Sequence, residues 1–294
     1  MNKVGFIGVG IMGKSMVRNL MKAGFELHIY ARTRSKVEDV IGEGAQFHES
    51  IKDCVQDCDA VITIVGFPQD VEEVYFDQGN ILDSAKKGAY LIDMTTTSPQ
   101  IAEKIYAEGT KRGFHVMDAP VTGGDTGAKA GTLSILVGGE KEDYEACMPL
   151  FEAMGTNINY QGKAGCGQHC KLANQIMIAG TLSGVCEALT YAKKQGLDPE
   201  VFMKSVATGA AGSKQLDTFG PKILKDDYAP GFFMKHFIKD MKLALIEANR
   251  KGLSLDVLSM VLANYEELEQ EGYGDLGTQA LMKFYDEEHR NTEE

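Results

Sequence analysis

Residues 4–13 read VGFIGVGIMG, an apolar run that continues into three glycines within six positions. The apolar run predicts a buried strand, and the spacing of apolar residues over Ser15–Ala23 predicts that a helix follows. In this context the glycines match the dinucleotide-binding pattern G-x-G-x-x-G. Gly8 allows a tight turn, Gly10 lets the backbone approach a pyrophosphate, and Gly13 lets helix and strand pack closely. A tight strand–helix turn without a ligand is the alternative. The residues expected at the pyrophosphate are Gly8, Gly10, Ile11, Met12 and Gly13.

Strands and helices alternate through the first half of the chain. This alternation predicts an α/β fold with a Rossmann-type, doubly wound, mostly parallel sheet. The predicted strands are Val4–Val9, Leu27–Tyr30, Ala60–Val65, Ala89–Met94, His115–Ala119 and Leu133–Val137. The predicted helices between them are Ser15–Ala23, Ser35–Ile41, Pro99–Arg112 and Lys141–Met154.

Only helical periods follow Gly162. The sequence therefore predicts a dinucleotide-binding domain over residues 1–162 and an all-α domain over residues 163–294. A helix of about 30 residues, roughly 45 Å long, joins the two. The predicted helices are Ala164–Gln195, Pro199–Ala207, Gly212–Ile223, Met234–Lys251, Ser254–Gln270 and Thr278–Glu287.

The end of the second predicted strand should contact the adenosine ribose. An acidic residue there would bind the 2′-hydroxyl of NAD, whereas an arginine would accommodate the 2′-phosphate of NADP. Arg32, Thr33 and Arg34 follow the strand, and no Asp or Glu occurs before Glu38. We expect NADP as the cofactor, with NAD possible. A solvated helix start is the alternative for these basic residues.

Composition excludes several classes of partner. The chain has 294 residues and a net charge of −12, and it has no basic run that would bind nucleic acid or an anionic membrane. No apolar run approaches the roughly 20 residues that cross a bilayer. The sequence passes from Met1 almost directly into a strand-like run, without a signal peptide. We therefore expect a cytoplasmic protein with reduced cysteines.

The head of the long helix, residues 165–180, reads GCGQHCKLANQIMIAG. Lys171, Asn174 and Gln175 are spaced i, i+3 and i+4, so they share one helix face, which Gln168 joins. A lysine there is positioned to donate a proton and to polarise a carbonyl, while the amides hold the oxygens of a substrate. The alternative for Lys171 alone is a lysine that reaches from the helix end to solvent.

A metal site at this helix head is not expected. Cys166, His169 and Cys170 are possible ligands, but adjacent helix residues point about 100° apart and no second ligand pair follows. Cys54 and Cys58 lie far away in a predicted surface helix. Cys170 and Cys186 are expected to pack as small apolar groups.

A second loop follows the strand that ends in DAPVTGG, residues 118–124. Thr122 offers a hydroxyl, and Gly123 and Gly124 offer exposed backbone N–H groups. Together they can hold a small carboxylate, as a backbone nest does. A simple turn is the alternative.

Four motifs in register give the chain a resemblance to one family. The G-x-G-x-x-G loop, DAPVTGG, the K-L-A-N helix and a later F-I-K-D resemble the β-hydroxyacid dehydrogenases over nearly the whole chain. That family includes 3-hydroxyisobutyrate dehydrogenase and tartronate semialdehyde reductase. Thr122 stands where Ser is more common. Gln175 stands where many members have Asn, and it resembles the tartronate semialdehyde reductase branch.

The resemblance implies a role for each matching residue. Lys171 and Asn174 would be catalytic. The implied substrate-binding residues are Thr122, Gly123, Gly124, Gln175, Ser213 and Asp240. The implied cofactor-binding residues are Gly8, Gly10, Ile11, Met12, Gly13, Arg32, Thr33, Arg34, Thr96, Phe232 and Lys239. Thr96 would lie near the nicotinamide ribose, whereas Phe232 and Lys239 would close the site over the cofactor.

The sequence thus predicts an NADPH-dependent reductase of a small carboxylated aldehyde, 2-hydroxy-3-oxopropionate or a related semialdehyde. Lys171 would donate the proton. An NAD-linked 3-hydroxyisobutyrate dehydrogenase is the alternative within the family. A non-catalytic dinucleotide-binding sensor is the alternative from another class. We expect a homodimer or homotetramer.

Overall fold

The structure is a computed structural model that describes residues 1–285. It contains two compact units, the first ending at Lys171 and the second beginning at Leu172. The predicted domain boundary after residue 162 stays a prediction. The long helix, α10, runs from Cys166 to Lys194 and therefore belongs to both units.

The first unit is built on a sheet that has nine strands within the described residues. The strands are β1 (Lys3–Ile7), β2 (Glu26–Tyr30), β3 (Gln46–Phe47), β4 (Ala60–Thr63), β5 (Tyr90–Asp93), β6 (His115–Asp118), β7 (Val121–Thr122), β8 (Leu133–Gly138) and β9 (Gly155–Gly162). The helices are α1 (Ile11–Lys22), α2 (Glu38–Gly42), α3 (Ile51–Val55), α4 (Pro68–Phe76), α5 (Ile81–Ser84), α6 (Pro99–Lys111), α7 (Gly124–Ala130), α8 (Lys141–Ala146) and α9 (Met148–Met154), with a 3₁₀ turn at Arg34–Lys36.

The sheet confirms the predicted fold class. Its strands run in the order β3-β2-β1-β4-β5-β6-β8-β7, and β3 through β6 are parallel. The first six strands in this order, 3-2-1-4-5-6, follow the arrangement of a sheet built from two mononucleotide-binding halves. Adjacent residues along a strand point to opposite faces of the sheet and pack in different hydrophobic cores. Phe6 and Ile62 belong to one core, and Ile7 and Val61 belong to the other. Helices therefore cover both faces of the sheet.

Several elements differ from the sequence predictions. The predicted helix Lys141–Met154 is two helices, α8 and α9, because Pro149 near the start of α9 has no N–H to donate. The strand β9, which pairs in parallel with β8, was not predicted. The expected surface helix around Cys54 was wrong, because α3 buries Cys54 in the core and Cys58 is buried just beyond it.

The second unit is helical through Tyr285, as predicted. Among its described residues the only strand-type pairing is an isolated bridge between Phe233 and Gly277. Phe237 and Tyr265, both fully buried, meet edge to face with ring centroids 5.4 Å apart and anchor the core. After α10, the helices are α11 (Pro199–Ala207), α12 (Lys214–Ile223), α13 (Met234–Arg250), α14 (Asp256–Gln270) and α15 (Met282–Tyr285), with 3₁₀ turns at Tyr273–Asp275 and Thr278–Leu281.

The last predicted helix, Thr278–Glu287, is thus a 3₁₀ turn followed by α15, and residues 286–287 lie outside the described residues. The helix α10 is long and apolar enough to meet the length and composition criteria for a membrane span. Leu182 and Leu189 of α10 belong to the core of the second unit. Core helices of soluble proteins meet the same criteria, so length and composition alone are weak evidence for a membrane span.

Candidate active site

The glycine loop lies where the strand order reverses, between β1 and β4. Gly8 has φ +97°, and a Cβ there would stand 2.1 Å from the carbonyl oxygen of Ile64. A Cβ on Gly13 would stand 2.2 Å from the carbonyl oxygen of Gly8. A Cβ on Gly10, in contrast, would meet nothing within 4 Å. The loop therefore keeps open space beside Gly10 at the N-terminus of α1, which fits the pyrophosphate of a dinucleotide.

The basic residues after β2 are all exposed, and carboxylates accompany them. Arg32 Nη1 lies 3.2 Å from Asp70 Oδ1 of α4. Arg34 lies 3.1 Å from Glu38 Oε1 and 3.6 Å from Glu49 Oε1, and its guanidinium stacks 5.3 Å from the Phe47 ring centroid. Thr33 is exposed beside them. The sequence did not predict the contact between Asp70 and Arg32, because the two residues lie 38 positions apart along the chain.

A buried polar network lies at the carboxyl ends of β4 and β5. Asp93 Oδ1 accepts hydrogen bonds from Thr63 Oγ1 at 2.8 Å and from the Thr95 N–H at 3.1 Å. Thr63 Oγ1 also lies 3.1 Å from the Tyr75 hydroxyl. Asp93 Oδ2 is buried without a hydrogen-bond partner among residues 1–285. Burial raises the pKa of Asp93 to about 6, although the hydrogen bonds from Thr95 and Thr63 act to lower it.

This network holds the segment that carries Thr96. Thr95 Oγ1 accepts a hydrogen bond from the Val65 N–H at 3.0 Å. Gln168 of α10 then binds the backbone on both sides of Thr96, because its Nε2 donates to the Thr95 carbonyl at 2.8 Å and its Oε1 accepts from the Thr97 N–H at 3.0 Å. The Gln168 side chain is fully buried. The expectation that its amide faces a substrate was wrong, since both ends are bound to backbone.

Asp118, at the end of β6, fixes the head of α10. Its Oδ1 accepts from the Gly165 N–H at 2.7 Å and its Oδ2 from the Gln168 N–H at 2.8 Å. Burial raises the pKa of this carboxyl, whereas the two N–H donors and the positive end of the helix favour its charged form. A Cβ on Gly167 would stand 2.7 Å from the Asp118 carbonyl oxygen. The glycine therefore allows the close approach of helix and strand.

The second loop has the backbone that its glycines predict. Thr122 ends β7 and is half-buried, and Gly123 and Gly124 follow with φ values of +129° and +63°. Consecutive positive φ angles are unfavourable for residues with a Cβ, so this turn requires glycine. Both glycines are exposed. The loop has the form expected of a small anion site, and its contact with a substrate stays a prediction.

Lys171 lies one turn after Gln168 on the same face of α10 and is 7% exposed. Lysines are almost never this buried unless they are paired.

In the second unit, a chain of polar contacts follows that face. Asn174 Nδ2 donates to Gln175 Oε1 at 2.8 Å, and Gln175 Nε2 donates to Asp240 Oδ2 at 2.6 Å. Lys239 Nζ lies 3.0 Å from Asp240 Oδ1. Asp240 and Gln175 are buried, so the structure brings these four predicted residues together.

Two further predicted residues have structural roles. Ser213 is the N-cap of α12, where its side chain accepts a hydrogen bond from the Leu216 N–H at 3.1 Å. Phe232 is half-buried and packs edge to face with Phe237, with ring centroids 6.1 Å apart. Their contacts with substrate and cofactor stay predictions.

The described part of the chain contains no cluster of three or more His, Cys, Asp or Glu residues that could hold a metal ion. All six cysteines are free thiols. His169 is exposed, and Cys166 and Cys170 are half-buried on α10. Burial raises the pKa of the Cys170 thiol, so it favours the uncharged form of a packing residue.

A glycine loop at the switch point of such a sheet defines a protein that binds a dinucleotide. Comparisons with known proteins specify the class. Residues 3–162 match the family model of the NAD-binding domain of 6-phosphogluconate dehydrogenase. Residues 165–285 match the model described as NAD-binding of NADP-dependent 3-hydroxyisobutyrate dehydrogenase.

Individual relatives agree with these models. An uncharacterised oxidoreductase of Bacillus subtilis is 49% identical over 96% of this chain and 98% of its own. A probable 3-hydroxyisobutyrate dehydrogenase-like mitochondrial protein of Arabidopsis thaliana is 45% identical, covering 95% and 84%. The 2-hydroxy-3-oxopropionate reductase of Escherichia coli is 37% identical, covering 86% of each chain. The structure of Mycobacterium tuberculosis 3-hydroxyisobutyrate dehydrogenase with L-serine is 27% identical, with TM-score 0.88 and coverage of 96% and 98%.

The chain belongs to the β-hydroxyacid dehydrogenase family, as its four motifs predicted. It is an NAD(P)-dependent oxidoreductase that acts on CH–OH groups.

Proposed function

We propose that this protein is an NADPH-dependent reductase of a small carboxylated aldehyde, 2-hydroxy-3-oxopropionate or a related semialdehyde. The observation that carries the proposal is the buried position of Lys171 on the turn of α10 that Asp118 and Gln168 fix. A lysine held in this way is already in place to interact with the carbonyl oxygen of a substrate. The reaction therefore requires no rearrangement of the lysine side chain.

When bound, the nicotinamide dinucleotide supplies the hydride that reduces the carbonyl carbon. Negative charge then develops on the carbonyl oxygen. The Lys171 ammonium polarises the carbonyl and donates a proton from Nζ to that oxygen, which gives the hydroxyacid. Asn174, on the same helix face, orients the substrate beside Lys171. In the oxidative direction the neutral amine of Lys171 accepts the hydroxyl proton.

The loop Thr122–Gly124 binds the carboxylate of the substrate. Its threonine hydroxyl and its exposed glycine backbone support this assignment, because consecutive N–H groups form an anion-binding concavity. The assignment explains why a carboxylated aldehyde, rather than an uncharged one, is the substrate class.

Arg32 supports NADPH as the preferred cofactor, since it follows β2 where a 2′-phosphate would lie and no acidic residue precedes Glu38. The Asp70 carboxylate beside Arg32 favours the second candidate, an NAD-linked 3-hydroxyisobutyrate dehydrogenase, because it neutralises part of the charge that a phosphate would meet. The names of the Arabidopsis and Mycobacterium relatives are in keeping with the substrate of that second candidate and do not specify its cofactor.

The test is a panel of short semialdehydes and hydroxyacids assayed with NADPH and NADH. We expect reduction of a carboxylated semialdehyde with a higher kcat/KM for NADPH. Higher kcat/KM with NADH and 3-hydroxyisobutyrate would select the second candidate.

Lys171→Ala tests the proton donor. We expect kcat to fall by about 10²- to 10⁴-fold, the usual contribution of general acid catalysis. The dissociation constant of NADPH should stay near that of the unmodified protein. Lys193→Ala, on an exposed turn at the other end of α10, is the matched control and should retain full turnover. Substantial turnover by Lys171→Ala would refute its role.

We also propose that the chain assembles as a homodimer or homotetramer through its helical unit. Large apolar side chains there are exposed in the single chain, including Met177 at 74%, Tyr191 at 67% and Val257 at 59%. Light scattering of the purified protein tests this, and a monomer at assay concentration would contradict it. The free cysteines support the cytoplasm as the compartment.

A further inference from the structure

We propose that Gln168 is a positioning residue, which sets the place of Lys171 relative to the segment that carries Thr96. The inference rests on the proposed function, in which Lys171 donates the proton and Thr96 contacts the nicotinamide ribose. Gln168 itself touches neither the substrate nor the cofactor. It acts through its hydrogen bonds to the backbone.

The geometry gives Gln168 three connections within the first unit. Its side chain binds the Thr95 carbonyl at 2.8 Å and the Thr97 N–H at 3.0 Å, and its own N–H binds Asp118 Oδ2 at 2.8 Å. The two side-chain bonds enclose Thr96 in the sequence. Through its side-chain amide and its backbone N–H, Gln168 therefore joins the loop after β5 and the end of β6 to the first turn of α10.

The side-chain amide makes both bonds at once without a change of protonation state. It presents a donor and an acceptor at adjacent positions, and these match one carbonyl and one N–H. The Thr95–Thr97 segment has additional fixed points at the Thr95 N–H and Oγ1, which bind Asp93 and Val65. The bonds to Asp93 and Val65 thus fix the Thr95–Thr97 segment, and the side chain of Gln168 fixes the head of α10 relative to that segment.

Lys171 follows Gln168 by three residues, so the two side chains leave α10 on the same face. A shift of the helix head relative to the loop would move the Lys171 ammonium away from the carbonyl that Thr96 and the cofactor present. Misplacement by about 1 Å is enough to lower a rate by roughly 100-fold.

Gln168→Leu tests the proposal, because leucine has a similar size and removes both side-chain bonds. We expect kcat to fall by about 10- to 100-fold while the dissociation constant of NADPH changes by less than about threefold. The primary isotope effect measured with 4-deuterated NADPH should increase, because misplacement slows the chemical step. Activities are expressed per folded site, titrated with NADPH.

Gln168→Glu provides a readout that a purely structural role would not change. Its ionised carboxylate would accept from the Thr97 N–H but would repel the Thr95 carbonyl. Its protonated form donates to that carbonyl and restores both bonds. The ratio of its kcat to that of the unmodified protein should therefore rise as pH falls. A ratio that stays constant with pH, measured per folded site, would overturn the proposal.

Ser183→Ala is the matched control on the same helix. It removes a buried hydrogen bond, 3.0 Å long, between Ser183 and the Tyr285 hydroxyl, far along α10 from Lys171. It should lower the melting temperature without changing kcat or its pH dependence. An equal loss of kcat in this variant would mean that Gln168 acts only through stability.

The outcomes separate the two proposals. Full kcat in Gln168→Leu, together with an inactive Lys171→Ala, would overturn the role of Gln168 and leave the proposed function in place. Turnover retained by Lys171→Ala would overturn the proposed function itself. Should Gln168→Leu not fold, the pH dependence of Gln168→Glu decides.

Discussion

Two glycines of the nucleotide loop, Gly13 and Gly10, should respond to alanine substitution in different ways. An alanine methyl at position 13 would stand 2.2 Å from the Gly8 carbonyl oxygen, whereas a carbon and a carbonyl oxygen approach to about 3.3–3.6 Å. Helix α1 or the loop must therefore move by about 1 Å. Overpacking of this kind costs about 1–3 kcal/mol.

Gly13→Ala should consequently lower the melting temperature by roughly 2–12 °C, since each kcal/mol shifts it by about 2–4 °C at this domain size. Gly10→Ala should change the melting temperature much less. Its methyl meets nothing within 4 Å, and its φ of −85° is accessible to alanine. Alanine is less favourable than glycine at the N-cap of α1, and this cost offsets the gain of about 0.4–1 kcal/mol from the lower freedom of the unfolded chain.

The functional effect of Gly10→Ala follows from the same open space. The methyl occupies the position that a pyrophosphate approaches, so we expect the dissociation constant of NADPH to rise at least about tenfold, or about 1.4 kcal/mol. Fluorescence titration with NADPH and thermal unfolding measure both quantities. Gly42→Ala, also open and outside the loop, is the control. Unchanged NADPH affinity in Gly10→Ala would refute the assignment of this loop to the cofactor.

Two further predictions concern charge. Arg32→Ala should raise the KM for NADPH by about 10- to 100-fold, because it removes a charged hydrogen bond to the 2′-phosphate, and should leave the KM for NADH nearly unchanged. Asp70→Asn should shift the cofactor preference toward NADPH by about two- to fivefold, because an exposed ion pair contributes below about 1 kcal/mol. Equal effects on both cofactors would contradict these roles. Asp93 has a raised pKa of about 6 in the folded protein, so the unmodified protein loses stability as pH rises from about 4 through 6. Asp93→Asn escapes that loss and should gain up to about 3 kcal/mol over the unmodified protein across this range in urea unfolding; a pH-independent difference would show that Asp93 titrates normally.

The parallel strands β1, β2, β4, β5 and β6 could be predicted because they are mostly apolar, whereas the short strand β3, Gln46–Phe47, was not predicted. Ala60–Thr63 is buried throughout, and such a run is recognisable without further information. The strand β9, GTNINYQG over Gly155–Gly162, is polar and mostly exposed or half-buried. Its pairing with β8 depends on backbone hydrogen bonds, which leave no periodic apolar pattern in the sequence.

The site was predicted only as far as local spacing reaches. Lys171, Asn174 and Gln175 share a face because their spacing fixes it. Spacing does not reveal that Asp118 binds the head of α10, because the contact joins residues 47 and 50 positions apart. Nor does it reveal that Gln168 turns its amide to the backbone around Thr96. Such contacts depend on which strand end the helix meets, and that is a property of the assembled sheet.

The polar chain that ends at Asp240 explains how Gln175 acts. A carboxylate only accepts hydrogen bonds, and the other oxygen of Asp240, Oδ1, lies 3.0 Å from Lys239 Nζ. Gln175 must therefore present its Nε2 to Asp240, which turns its Oε1 toward Asn174. Asn174 in turn must present its Nδ2 to Gln175, so its Oδ1 and second amide hydrogen remain for a substrate. Gln175 thus fixes the orientation of the Asn174 amide, and the contact of either residue with substrate stays a prediction.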